Sequence, residues 1–214
     1  MRVVELKIVV WSFISIVLAT LISLRYLDAW LAIRAMKILN INAASNIPDV
    51  LFILVCFVSG LLWGRYVVLR RRDVTIDRLL FYEIAGTAVP LTFLLKWPFK
   101  LAFGKTNTRV WLENQSSSNF HWFHGGGNYN SFPSGHMMVF AAFFTALWFF
   151  YPRYRLLSVF FMLALSAALI VTNHHFLSDV IVGGYIGFIT TLLCKLYFEK
   201  VQNKTNIEAT LTPD

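Results

Sequence analysis

Ser134–Tyr151 reads SGHMMVFAAFFTALWFFY, a run without a single Asp, Glu, Lys or Arg. An uncharged stretch of that length is a membrane-span candidate, because a helix of about 20 residues crosses the hydrocarbon. Five further stretches, near 8–27, 49–69, 79–98, 155–173 and 178–198, have similar length and apolarity. The expected fold is therefore all-α, a bundle of six transmembrane helices. A long outer-face loop, roughly 99–133, joins the third helix to the fourth.

Composition agrees with that reading. The chain has 214 residues, of which 57% are hydrophobic and only 14% charged, against about 25% charged in a soluble domain. That length suits one integral membrane domain, 1–200, with a polar cytoplasmic tail, 201–214. The first segment follows Arg2 and Lys7 and has no small-x-small cleavage site before Arg25, so it reads as a retained helix.

A net charge of +8 would suit nucleic-acid binding, but the basic residues sit at segment ends and in connecting loops. Such placement marks topology determinants and anionic-lipid contacts, so no nucleic-acid partner is expected. With the N-terminus inside, the cytoplasmic side holds the larger basic set, including Arg65, Arg70, Arg71, Arg72, Arg78 and Lys200. Both termini are then cytoplasmic. The 99–133 loop lies on the outer face, periplasmic if the membrane is a bacterial inner membrane.

Residues 28–47 are less apolar. They read equally as a helix lying in the interface or as a connecting loop, and Pro48 suits the first turn of the second helix. In the long loop, Gly125-Gly126-Gly127 is expected to be a flexible point. No strand precedes it, which argues against a nucleotide-binding loop. Trp122 and Phe123 suit aromatic packing near the headgroups. His121 and His124 invite a metal reading with His136, but no acid or thiol completes the set. Cys56 and Cys194 each fall inside an apolar segment and read as inert. Asp49 and Glu83, near segment ends, are expected to be solvated.

Chemistry gathers in two strings about forty residues apart. In Pro133-Ser134-Gly135-His136, Pro133 suits the first turn of a helix. The N–H groups of Ser134, Gly135 and His136 would then face outward at the positive end of the helix dipole, a phosphate-binding geometry. A capped helix start with an incidental histidine is the plainer reading. In His175-Phe176-Leu177-Ser178-Asp179, His175 and Asp179 share one helical face. The carboxylate can fix the imidazole tautomer and free the other nitrogen for attack; a buried structural pair would look the same. His174 is expected to face away from this pair, and Asn173 to cap the preceding helix.

Together the strings resemble the phosphatidic acid phosphatase type 2 superfamily, in its six-helix membrane branch. The resemblance covers most of the chain. It implies His175 as nucleophile, Asp179 as its orienting partner and His136 as general acid, with Ser134 and Gly135 binding phosphate oxygens. It also implies no cofactor and no metal. Two departures stand out. Ala168 and Leu169 occupy the Ser-Arg positions of the family's third motif. In the first motif Lys100 is followed by Arg109 after eight residues rather than six, with Val110 in place of proline. Lys100, Lys105 and Arg109 are the expected phosphate ligands. The activity implied is hydrolysis of a membrane lipid phosphate through a phosphohistidine. The alternatives are transfer of that phosphate to a second lipid, or a silent membrane protein of the same fold. Phosphatidic acid, phosphatidylglycerophosphate, undecaprenyl diphosphate and lipid A remain unranked as substrates, and the sequence says nothing of oligomeric state.

Overall fold

The computed structural model describes residues 3–39, 47–72, 75–114 and 120–211; Arg2 and the end of the tail lie outside them. The helices are α1 Val3–Ile22, α2 Asp28–Leu39, α3 Ile47–Arg70, α4 Ile76–Phe103, α5 Thr108–Asn114, α6 Gly135–Phe150, α7 Arg155–Val171 and α8 Leu177–Leu211. A π-turn, Ser23–Leu27, joins α1 to α2, and a 3₁₀ turn, Pro152–Tyr154, precedes α7. The all-α class is as expected, with only two isolated β-bridges among the described residues.

Five helical stretches are long and apolar enough to cross a membrane: Val9–Ile38, Leu51–Arg70, Ile76–Phe103, Pro152–Val171 and Leu177–Asn203. Gly135–Phe150 is apolar but shorter. Their outward faces carry large apolar side chains such as Phe57, Leu94, Leu163 and Leu193. Water would not tolerate so continuous a coat, and lipid requires it. This is the surface of an integral membrane protein.

Residues 28–39 are neither a separate interfacial helix nor a loop. They continue the first span through the π-turn, and α2 packs on α7, with a smaller contact to α5. The third helix runs on to Phe103, so Lys100 is a helical residue rather than part of a loop. The tail is helical as far as Leu211.

Helix α6 forms the centre, packed against α8 and α4, while α3 lies on α4. Small residues permit this closeness. A Cβ at Gly183 would stand 2.6 Å from Ser134 O, and one at Gly187 would stand 2.4 Å from Met138 O. Ala88, Ala142, Ile84 and Val89 fill the α4–α6 seam. Because α6 and α8 cross backbone to backbone, the residues at the starts of both helices are held at one height.

Gly125 is a close approach rather than a flexible point. A Cβ there would lie 2.0 Å from Lys100 O, and its N–H is donated to Leu101 O at 3.3 Å. An aromatic cluster holds the loop down, with Phe103, Phe120, Trp122 and Phe132 ring against ring. Trp122 joins that packing, although both it and Phe123 are exposed. Glu83 is half-buried and accepts a hydrogen bond from the Tyr66 hydroxyl, so it is less solvated than its position in the chain suggested. The two cysteines are unpaired.

Candidate active site

Ser134 starts α6 as its N-cap, its hydroxyl accepting from Met137 N at 3.3 Å. That is the ordinary chemistry of a serine at a helix start. Pro133 therefore precedes the helix instead of occupying its first turn, and it follows a cis peptide bond from Phe132. The Ser134 N–H is also spoken for, donated to Asp179 O at 3.0 Å. Of the three amides expected to face an anion, this leaves those of Gly135 and His136.

The second string opens α8 in the same manner. Phe176 stands at the cap position, and its N–H donates to Asp179 Oδ2 at 3.0 Å, the reciprocal half of a capping box. Asp179 Oδ2 also accepts from the Ser131 hydroxyl at 2.5 Å, and Oδ1 accepts from Lys105 Nζ at 2.8 Å. The carboxylate is thus fixed from three directions and is 0% exposed. His175 Nδ1 lies 3.5 Å from Oδ2, longer than a hydrogen bond and within a small ring rotation of one. Such contacts commonly tighten only when substrate is bound. With Nδ1 turned to Asp179, the opposite ring nitrogen is free for the cavity.

His136 and His175 come from different helices, yet their ring centroids are 6.2 Å apart and both line one cavity of about 200 Å³. The His136 Nε2 is buried and has no hydrogen-bond partner among the described residues. His174, expected to face away, lines the same cavity, its ring 5.5 Å from that of His136 and 5.6 Å from that of His175. The reason is local. After α7, Asn173 takes a left-handed conformation, φ 52°. The N–H groups of His174 and His175 then both turn back to Leu169 O, at 2.9 and 3.2 Å.

Three cations complete the wall: Lys96, Lys100 and Arg109. Lys100 Nζ donates to Asn130 O. Arg109 Nη2 approaches Thr172 O at 3.4 Å and His174 Nδ1 at 3.5 Å, so it reaches the α7–α8 turn from α5. Leu169, standing where the family's third motif has arginine, packs instead with Met137 and Val180. Lys96 was not among the phosphate ligands expected from the sequence, although its spacing of four from Lys100 puts both on one face of α4. A cation inside an apolar span is a functional signal by default.

Lys105, expected among the phosphate ligands, is placed elsewhere. It is 0% exposed, is absent from the cavity wall, and bridges Asp179 at 2.8 Å and Asp28 at 2.9 Å. Asp28 is the other residue that sequence reasoning missed.

Electrostatics follow from burial among cations. The His174 imidazolium is disfavoured by burial and then by His175, Arg109 and Lys100, which together lower its pKa to about 4. Burial also lowers that of His175, opposed by Asp179. Both shifts favour the neutral form of the ring. His121 and His124 belong to the loop, where His121 packs on Tyr129 and His124 contacts Trp122 O. Among the described residues no group of three His, Cys, Asp or Glu side chains is arranged to hold a metal ion.

Comparison with known proteins identifies the family. The PAP2 superfamily pattern matches residues 79–203. A lipid A 1-phosphatase of Rhizobium etli is 31% identical over 99 residues, 43% of this chain and 43% of that protein. A lipid A 1-phosphatase of Rhizobium johnstonii is 35% identical over 78 residues, 36% of this chain and 32% of that protein. The chain thus matches less than half the length of these curated relatives. No solved structure matches it significantly.

Proposed function

The chain belongs to the PAP2 superfamily, and from that premise we propose that it is a lipid phosphatase working through a phosphohistidine. The observation that carries the reading is the pair of rings, His136 and His175, facing one cation-walled cavity from two helices. A phosphate monoester bound there would be held by Lys96, Lys100, Arg109 and the amides of Gly135 and His136. His175 attacks phosphorus through the nitrogen turned away from Asp179, forming a P–N bond as the P–O bond to the lipid breaks. His136 gives its proton to the leaving oxygen. Water then attacks the phosphohistidine, His136 recovers a proton from it, and inorganic phosphate leaves. The cations act mainly on the barrier, because negative charge on the transferring group must be stabilised where it develops. No cofactor enters this cycle.

A lipid is the substrate class because of what lies beneath the cavity. Leu51, Lys96 and His136 line the polar pocket. Further along the same three helices, Leu54 and Val55, Val89, Val139 and Phe140 line an apolar cavity of about 180 Å³. An acyl chain in the lower space would bring its headgroup phosphate to the upper one. The Rhizobium relatives put the 1-phosphate of lipid A first among substrates, ahead of phosphatidic acid, phosphatidylglycerophosphate and undecaprenyl diphosphate. We further read all six apolar helices as spans in a single domain, with both termini cytoplasmic and the cavity on the outer face of a bacterial inner membrane. Reporters fused at Gly126 and Arg71 test that topology.

The deciding experiment is phosphate release from these four lipids in detergent with a chelator, comparing the unaltered protein with His175→Ala. Turnover that His175→Ala abolishes and chelator leaves intact is expected. Equal turnover by both proteins refutes the mechanism, and loss to chelator alone refutes metal independence.

A further inference from the structure

Asp28 lies far from the two motifs in sequence, yet it is buried and bonded to the second of them through Ser178. Its Oδ2 meets Lys105 Nζ at 2.9 Å and the Ser178 hydroxyl at 2.5 Å, and its Oδ1 accepts from Ser178 N at 2.9 Å. That last bond caps α8 from another helix, at the residue immediately before Asp179. The fold makes a special arrangement for it. In the π-turn the Asp28 N–H returns to Ser23 O, five residues back, and the wider winding brings Ser23 and Asp28 onto one face. The Ser23 hydroxyl then donates to Asp28 Oδ1 at 2.7 Å. Ordinary α winding would turn residues five apart well away from each other.

We propose that Asp28 is a positioning residue for His175, acting through Lys105 and Asp179 from the π-turn between α1 and α2. This rests on the reading of His175 as nucleophile only so far as turnover is concerned; the electrostatic coupling stands without it. The charges explain the role. Two carboxylates and one ammonium leave a net single negative charge behind His175. Without Asp28, Lys105 would neutralise Asp179 alone, and the imidazole would lose its electrostatic support during attack. The other groups facing His175 are Lys100 from α4, His136 from α6, and His174 on the same turn. None of them is negative.

The test uses the full chain in dodecyl maltoside, labelled with [¹⁵N]histidine, as unaltered protein, Asp28→Asn, Lys105→Met and the double variant. The His175 resonance is identified by its loss in His175→Gln. Asp28→Asn should lower the His175 pKa by about one unit, the size expected of one charge roughly 10 Å away at an effective dielectric constant near 20. Lys105→Met should raise it, and the double variant should return it to the starting value. A purely structural role would not produce that return. Phosphate release from dioctanoyl phosphatidic acid should fall about tenfold in kcat for Asp28→Asn, with KM within twofold. An unchanged His175 titration in Asp28→Asn overturns the proposal, as does a double variant that stays shifted. If Asp28→Asn aggregates, Lys105→Met against the double variant reads the same coupling. If the titrations move as stated while even the unaltered protein releases no phosphate from any lipid, the phosphatase reading fails and the positioning role holds.

Discussion

Substituting Gly183 by alanine tests whether the α6–α8 crossing sets the distance between the two histidines. The added Cβ would lie 2.6 Å from Ser134 O and 3.2 Å from Met137 Cβ. A carbon requires about 3.3 Å from a carbonyl oxygen, so α8 must withdraw by roughly 0.7 Å. The clash falls on the residue that begins α6, nearly two turns into α8, and the separation passes directly to His136 and His175. A misplacement of about 1 Å can cost 100-fold in rate, so kcat should fall roughly 30-fold or more. Stability receives opposing contributions. Overpacking costs about 1–3 kcal/mol, while replacing glycine in a helix returns up to about 1 kcal/mol. The net loss is about 1 kcal/mol, or an apparent Tm lower by about 2–4 °C. Gly184→Ala is the internal control. Its Cβ meets only Met137 Cε at 3.4 Å and Cγ at 3.7 Å, so it takes the helix benefit without the clash. Phosphate release and thermal unfolding, measured on both variants in one detergent, decide the matter. If Gly183→Ala keeps a kcat within twofold of Gly184→Ala, the close crossing does not control the site.

On the proposed reading, Arg109, which lines the cavity, supplies the guanidinium that Leu169 cannot. Arg109→Lys should lose about tenfold or more in kcat/KM, because an ammonium cannot reproduce the fork toward Thr172 and His174. Leu169→Arg should not rescue it, since that side chain points into the Met137–Val180 cluster and an unpaired charge there costs several kcal/mol. For pH, the nucleophile must be neutral, and burial holds the His175 pKa below its ordinary 6.5. The acid limb of kcat/KM, recorded from pH 4 to 9, should therefore fall below pH 6.5. Stability should follow the same sign. His174 binds its proton near pH 6.5 when unfolded and near 4 when folded, so its contribution is full above 6.5 and is lost as pH falls toward 4. Thermal unfolding at pH 4.5 and 7.5, with and without His174→Asn, checks this.

Local rules made part of this site readable. The Pro-Ser-Gly-His string announced the start of α6, although it put Pro133 inside the first turn where Ser134 is in fact the cap, and the spacing of His175 and Asp179 put the two beside each other. The six apolar stretches announced the helices, including α6, whose 16 residues are fewer than a span usually needs. Local rules could not separate Lys100 from Lys105. Both are cations five residues apart near the end of α4, and only the chain's turn after Phe103 sends one to the cavity and the other behind Asp179. Asp28 was beyond reach for a similar reason. Its partners are 77 and 150 residues away, and the π-turn that aims it breaks the regular winding on which a helical reading depends. His174 was misread because a left-handed residue 173 reverses the direction that simple alternation suggests. Lys96, by contrast, was available, since spacing of four from Lys100 inside an apolar span needs no tertiary knowledge.

The buried Asp28–Lys105–Asp179 cluster carries a consequence for how dissolved salt acts on this protein. Mobile ions damp attraction only where they can penetrate, and Lys105 and Asp179 have no surface for them to reach. Ionic strength should therefore slow the capture of an anionic headgroup at the wall of Lys96, Lys100 and Arg109. It should leave turnover of the already docked molecule nearly untouched.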